Sequence, residues 1–110
     1  MAKITKAHRP KRRWIGLEVS ADHASRASIA AAVHSLLGDG PVLYDAVPAS
    51  KRGQPFGCAI VRVNLSEAAT HRGVLAEASS WSEHGLRSVT VSGKIRLVRT
   101  RLGLPRPPRR

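Results

Sequence analysis

The feature that most constrains the fold of this 110-residue chain is the order in which two hydrophobic periodicities follow one another. Four short runs, 14–20, 42–47, 58–65 and 86–92, are alternating or continuously apolar, as β-strands are. Between the first and second runs, and again between the third and fourth, apolar residues recur at the spacing of one helix face. The chain is therefore predicted to run strand, helix, strand, strand, helix, strand.

This order of elements predicts an α+β domain in which a four-stranded antiparallel sheet carries both helices on one face, the ferredoxin-like arrangement. The opposite face of the sheet would then be free to meet a partner. Pro48 directly follows the second run, which favours an edge position for that strand. We expect one domain over residues 14–102, preceded by a flexible basic arm at 1–13 and followed by a Pro- and Arg-rich tail at 103–110.

The two predicted helices have apolar stripes and residues suited to end them. The first helix has its stripe at Ile29, Val33, Leu36 and Leu37, and the second at Val74, Leu75, Ala78 and Trp81. Asp22 or Ser25 could cap the start of the first helix, and Gly38 is placed to end it. Asn64 or Ser66 could cap the second.

The third run is the most apolar and is predicted to be a central strand. One face would hold Ala59, Val61 and Val63, and the other Cys58, Ile60 and Arg62. Arg62 is the one charge within this run, and it could either extend to the edge of the sheet or lie on the open face. The polar segment 48–57 before this run is predicted to be a long hairpin loop in which Lys51 and Arg52 could reach a partner.

Residues 88–102 change periodicity at Gly93. Before it, Val89 and Val91 alternate with hydroxyl side chains, as in a half-buried strand. After it, an apolar helical stripe (Ile95, Val98, Leu102) is surrounded by basic residues (Lys94, Arg96, Arg99, Arg101). The first turn of such a helix has unpaired amides and partial positive charge, so phosphate is an expected partner. The alternative is a solvated terminal helix with no further role.

The net charge of +12 is placed at the two ends of the chain. Residues 1–13 carry six basic side chains and residues 94–110 carry seven, and neither segment contains an acid. The segment 14–93 between them is nearly neutral, with six basic residues and seven acids. This distribution favours a polyanionic partner. Nucleic acid is favoured over an anionic membrane because the basic C-terminal helix is short and lacks aromatic anchors.

Other classes of site find little support in the sequence. The single cysteine, Cys58, excludes an internal disulfide, and no apolar run approaches the ~20 residues that span a bilayer, so a cytosolic protein is expected. The histidines have no metal-ligand spacing and the carboxylates are scattered, so neither a metal site nor a catalytic group is expected in the polypeptide. Trp14 is the only aromatic residue on the first strand, which disfavours the base stacking of an RNA recognition motif.

Three short segments combine basic and apolar residues in a recognisable way. They read KRRWI at 11–15, AIVRV at 59–63 and VTVSGKIR at 89–96, the last followed by Arg99 and Arg101. Together they resemble the archaeal ribonuclease P protein component 2 family over about residues 11–102. The last segment is similar to the family's Val-Ser-Gly-Thr-Ile-Lys ending, with Lys94 where the family usually has threonine.

The resemblance implies a ferredoxin-like protein subunit of ribonuclease P, the enzyme that removes the 5′ leader from precursor tRNA. In that family the RNA subunit performs the hydrolysis with magnesium ions, and the protein pairs with protein component 3. With Arg62 added from the open face of the sheet, the expected RNA contacts are Lys11, Arg12, Arg13, Arg62, Lys94, Arg96, Arg99 and Arg101. Two alternatives remain: another small basic RNA-scaffold protein, ribosomal or tRNA-associated, and a small-molecule-sensing regulatory domain of the same strand order.

Overall fold

The computed structural model describes residues 11–104 and confirms the predicted fold class. Within these residues the strands are β1 (Arg12–Val19), β2 (Val42–Val47), β3 (Gly57–Asn64) and β4 (Leu86–Ser92). The helices are α1 (Arg26–Leu37), α2 (Ala49–Arg52), α3 (Leu65–Ala76) and α4 (Ile95–Arg101), and a π-helical turn spans Ser80–His84. The strands form one antiparallel sheet in the order β2-β3-β1-β4, the ferredoxin-like arrangement, with β2 at an edge as expected.

The larger hydrophobic core lies between the sheet and the helices α1 and α3. Its buried members are Ile15, Leu17, Val19, Ile29, Val33, Ala59, Val61, Val63, Ala68, Leu75 and Leu86. The predicted inner faces of the first and third strands are confirmed, because every second residue of β1 and β3 enters this core. A slip of one residue in their pairing would move all of these side chains to the other face, so the apolar alternation fixes the register.

The sequence predicted that the opposite face of the sheet would be free. This prediction was wrong, because α4 folds back across that face. Val98 and Leu102 are 0% and 3% exposed and pack with Cys58 and Ile60 of β3. Gly16 on β1 permits this close approach, since a Cβ there would lie 2.9 Å from Cγ1 of Val98. The predicted apolar stripe of α4 is therefore confirmed, but it forms a second small core on the sheet.

The ends of the first helix follow the predicted signals. The hydroxyl of Ser25 accepts a hydrogen bond from the backbone N–H of Ser28 at 3.2 Å. Gly38 ends α1 with a φ of 83°, a conformation that side chains other than glycine rarely adopt. Asn64 occupies the capping position of α3, although its side chain makes no capping hydrogen bond.

The second predicted helix is shorter than its apolar stripe indicated. α3 ends at Ala76, because Glu77 adopts an extended conformation with φ −71° and ψ 144°. Ala78 is exposed, and Trp81 belongs to the π-helical turn, where its ring packs edge-to-face on Phe56 at a centroid distance of 5.2 Å. Trp81 therefore packs on an aromatic ring from another segment and, contrary to the sequence prediction, is not part of the apolar stripe of α3.

The segment between β2 and β3 also differs from the prediction of a long polar loop. It contains the short helix α2, and the guanidinium of Arg52 turns inward instead of reaching a partner. It donates hydrogen bonds to the carbonyls of Phe56 at 3.2 Å and Leu102 at 2.9 Å. Arg52 therefore ties α2 to the C-terminal end of α4, while Lys51 remains exposed.

The alternation predicted for β4 is interrupted by an irregularity in its pairing with β1. The register shifts between Gly16 and Leu17, which pair with Thr90 and Ser88. Val89, the residue skipped by this shift, is 47% exposed, whereas Val91 packs against the larger core. The predicted alternation, with Val89 and Val91 on one face of the strand, therefore fails at Val89, because a bulge changes the facing of the residue it skips.

Candidate nucleic-acid interface

Antiparallel pairing brings the start of β1 and the ends of β3 and β4 to the same end of the sheet. Each of these three segments supplies predicted contact residues. We call this region the cationic end and define it by Lys11, Arg12, Arg13, Arg62, Lys94 and Arg96. Residues up to 85 positions apart in the sequence are thus brought to one region, and six of the eight predicted contact residues belong to it.

The start of β1 places two of these residues within the sheet. β1 begins at Arg12, before the predicted start at residue 14, because it pairs with the end of β3. Arg12 therefore lies on the face that α4 covers and Arg13 on the face of α1 and α3, since successive strand residues point to opposite faces. Residues 1–10 of the predicted arm and residues 105–110 of the predicted tail lie outside the described residues.

Five side chains of the cationic end make no hydrogen bond or ion pair within residues 11–104: Lys11, Arg12, Arg62, Lys94 and Arg96. Four of them are exposed, and Arg62 is half-buried on β3, directly opposite Trp14 of β1. A cationic side chain without an internal acceptor keeps its full capacity to bind an external anion. The positive charge of this end is therefore available to a partner.

Two of the predicted contact residues instead fasten α4 to the sheet. Arg99 donates from Nη1 to Oδ2 of Asp45 on β2 at 2.8 Å, and its side chain is only 14% exposed. Arg101 donates from Nη1 to Oγ1 of Thr90 on β4 at 2.8 Å and to the carbonyl of Val91 at 3.3 Å. Their contacts lie within the protein, and they join α4 to both edge strands.

Arg13 is partly engaged and faces a different surface. Its Nη1 donates to the carbonyl of Arg12 at 3.3 Å, and its guanidinium lies over Gly93, where a Cβ would approach Nη1 to 2.7 Å. It lines a groove along α3 together with Arg72, a basic residue that the sequence analysis did not single out. Arg13 and Arg72 thus extend the positive charge from the cationic end onto the face of the sheet that α1 and α3 cover.

The predicted phosphate site at the start of α4 has little support from backbone geometry. α4 spans seven residues, less than two turns, and no side chain caps its first amides. The dipole of so short a helix is small compared with the full charges of Lys94 and Arg96 beside it. The attraction for an anion at this end therefore comes from the side chains.

An aromatic pair that the sequence analysis missed lies beside the cationic end. Trp14 on β1 and Tyr44 on β2 meet across β3, with ring centroids 4.9 Å apart and ring planes at 72°. The pairing of β2 with β3 shifts between Leu43 and Asp45, and Tyr44 is the extra residue. Tyr44 is 47% exposed. Alternation from Val42 already places Tyr44 on this face of the sheet. What the local pattern does not show is the strand order, which puts β1 and β2 on either side of β3 and so brings the two rings together.

At the opposite end of the sheet Lys51 on α2 is exposed, but Arg87 is engaged within the protein. Arg87 on β4 donates from Nε to Oε1 of Glu18 at 2.8 Å, and its guanidinium carbon lies 4.2 Å from the ring centroid of Trp81. The carboxylate and the aromatic face both stabilise this cation within the protein. More of the available positive charge thus lies at the cationic end than at the opposite end of the sheet.

Other kinds of site are not formed by residues 11–104. No group of three or more histidine, cysteine or carboxylate side chains among them lies close enough together to hold a metal ion. The ring of His23 is engaged internally: Nε2 donates to the carbonyl of His84 at 2.7 Å, and Nδ1 lies 2.6 Å from Oγ of Ser28. No helix in this part of the chain has the length and apolar character needed to cross a membrane.

No protein-family model matches the chain, and comparison with curated proteins finds no significant match.

Proposed function

We propose that this chain is an RNA-binding protein subunit of ribonuclease P that has no catalytic site of its own. The observation that carries the proposal is the cationic end, where five side chains without internal partners come together from three distant segments. Packing does not require these charges, because none of them forms an ion pair within residues 11–104. RNA phosphates are the partner that such a cluster fits best.

The resemblance to ribonuclease P protein component 2 supports the proposal through the same residues. The three segments that carry the resemblance, 11–15, 59–63 and 89–96, are the start of β1, the end of β3 and the end of β4 with the following turn. Strand pairing brings these segments side by side. Residues that resemble one family and also lie at one end of the sheet are more informative than the same residues scattered over the fold.

In the proposed role the RNA subunit performs hydrolysis of precursor tRNA with magnesium ions, and this chain neutralises phosphates of the folded RNA. Each phosphate that a lysine or arginine neutralises releases a condensed counterion and reduces the repulsion that opposes folding of the RNA. Protein component 3 would be the immediate protein partner, and the assembly would act in the cytoplasm. The expected effect is a lower magnesium requirement of the RNA subunit.

Cleavage of precursor tRNA by an archaeal ribonuclease P RNA tests this proposal. The rate is measured over a magnesium series with protein component 3, with and without this chain. We expect this chain to raise the rate at low magnesium. The variant with Arg62→Ala and Arg96→Ala should lose most of the gain, whereas Lys51→Ala, an exposed cation on α2 at the other end of the sheet, should keep it. RNA binding without stimulation would instead identify a general RNA-scaffold protein, and no RNA binding would contradict both readings.

A further inference from the structure

We propose that Tyr44, held in place by Trp14 and flanked by Arg62, is a stacking site for one unpaired base of the bound RNA. This inference rests on the proposed function and deepens it, because it names a single-stranded nucleotide as one element that the protein recognises. It goes beyond the sequence analysis, which disfavoured base stacking because neither the first nor the third strand carries a set of aromatic residues.

The first support is the exposure and fixed orientation of the ring. Tyr44 is 47% exposed, and the edge-to-face contact with Trp14 at 4.9 Å holds its ring over the sheet. A large ring that is already fixed loses little conformational entropy when a base stacks on it. Its hydroxyl makes no hydrogen bond within residues 11–104 and is therefore available to a ribose or a base edge.

The second support is the position of Arg62. This residue pairs with Trp14 of β1 on one side and with Val42 of β2 on the other, so it lies on the strand between the two rings. Its guanidinium makes no hydrogen bond or ion pair with any other residue of the segment 11–104. From the strand between the two rings, an arginine side chain can reach the phosphate of a nucleotide stacked on Tyr44.

The third support is the charge around the rings, which favours a nucleotide over a protein segment as the occupant. The acid next to Tyr44 in the chain, Asp45, is ion-paired with Arg99 at 2.8 Å and so repels a phosphate less than a free carboxylate would. Val42, 45% exposed, adds apolar surface beside the rings. An exposed aromatic ring together with a positively charged surface is the combination that binds single-stranded nucleic acid in other folds.

The test compares two RNAs of equal length: a hairpin with an unpaired loop and a fully paired duplex. The full-length protein and three variants at position 44 are titrated with each RNA at fixed salt. Tyr44→Ala should weaken hairpin binding about 5- to 150-fold, the range for removal of one stacking partner, and leave duplex binding unchanged. Tyr44→Phe should keep most of the wild-type affinity, because it loses only the hydroxyl and retains the π face. Tyr44→Leu, which keeps apolar volume without a π face, should bind the hairpin as weakly as Tyr44→Ala.

Two controls separate stacking from other effects. Val89→Ala removes an apolar side chain of equal fractional exposure, 47%, from the other edge strand and should change neither affinity. A hairpin with abasic loop nucleotides should bind the wild type as weakly as the intact hairpin binds Tyr44→Ala. For the Tyr44→Ala variant, the abasic and the intact hairpin should have the same affinity. Thermal unfolding of each variant checks that the fold is retained.

Two outcomes would overturn the inference while leaving the proposed function in place. In the first, Tyr44→Ala weakens hairpin and duplex binding equally or not at all, while the protein still stimulates precursor-tRNA cleavage. In the second, both RNAs bind unchanged and Tyr44→Ala abolishes binding of protein component 3, which would make the rings a protein-docking surface. If the wild type binds neither RNA, the proposed function fails as well.

Discussion

Arg96 and Arg99 lie about one helical turn apart on α4, yet only Arg99 has a carboxylate partner. Arg96 is exposed, whereas the guanidinium of Arg99 is held against Asp45 of β2 with 14% of its side chain exposed. The basic run in the sequence therefore contains two kinds of residue. One kind is available to an external anion, and the other holds the helix on the sheet.

Arg99→Ala should destabilise the fold, because it leaves the partly buried carboxylate of Asp45 without its ion-pair partner. We expect a loss of about 1–3 kcal/mol in the free energy of unfolding, measured by urea denaturation. Arg96→Ala, the matched control, should change this free energy by less than about 0.5 kcal/mol. If the two substitutions had equal effects on stability, Arg99 would not fasten α4 as described.

Cys58 illustrates a second residue-scale effect, the protection of a reactive group by packing. Its side chain is fully buried between β3 and α4, and this burial raises the pKa of the thiol above its ordinary value near 9.0. The unfolded chain therefore releases the thiol proton at a lower pH than the folded protein does. The contribution of Cys58 to stability is complete below about pH 9 and is lost as the pH rises above it.

We expect iodoacetamide to leave Cys58 unmodified in the folded protein between pH 7 and pH 9, and to modify it when urea unfolds the chain. Above pH 9 the stability of the wild type should fall more steeply than that of Cys58→Ala, which has no thiol to titrate. Rapid alkylation without denaturant would show that the face covered by α4 opens readily.

At the scale of elements, α4 acts as part of the core as well as a carrier of basic residues. Leu102→Ala should lower the free energy of unfolding by about 2–5 kcal/mol, because Leu102 is 3% exposed and packs on the sheet. Leu97→Ala on the same helix is the matched control, since Leu97 is 38% exposed. Urea denaturation of both variants measures the difference. A result in which Leu97→Ala were the more destabilising of the two would contradict the packing of α4 on the sheet.

The elements also show how far local patterns predict this fold. Alternation correctly assigned the inner faces of β1 and β3, and the helical spacing after Gly93 identified the buried stripe of α4. Both predictions succeeded because each depends on residues within one element. The surface on which that stripe packs depends on Gly16, which is far away in the sequence. Because Gly16 has no side chain, Val98 can approach β1. No local pattern carries such information.

In the candidate site too, local patterns identified residues, but they did not show which residues the fold brings together. The sequence identified the basic residues, but strand pairing decides that Lys11, Arg62 and Lys94 share one end of the sheet. The contact of Tyr44 with Trp14 depends on the strand order, which places β1 and β2 on either side of β3. The partner of Arg99, Asp45, faces α4 because the pairing of β2 with β3 is irregular. A bulge shifts the facing of the residues around it without a clear signature in the sequence.

At the scale of the whole molecule, the positive charge is arranged asymmetrically over the sheet. Within residues 11–104, five basic side chains at the cationic end lack partners. At the other end Lys51 is exposed, but Arg87 is paired with Glu18 and lies over Trp81. Such an asymmetry orients an approaching polyanion toward the cationic end and raises its association rate. The predicted preference for one end distinguishes this arrangement from a uniformly basic surface.

The dependence of RNA affinity on salt concentration tests the central claim most directly. The logarithm of the association constant is plotted against the logarithm of salt concentration for three proteins: the wild type, the triple variant with alanine at positions 12, 62 and 96, and Lys51→Ala as a control. If the three replaced side chains contact phosphates, the slope of the triple variant should be flatter by about 2–2.7, since each contact contributes about 0.7–0.9. The control should retain the wild-type slope. Equal slopes for the wild type and the triple variant would contradict the assignment of the cationic end as the RNA-binding surface.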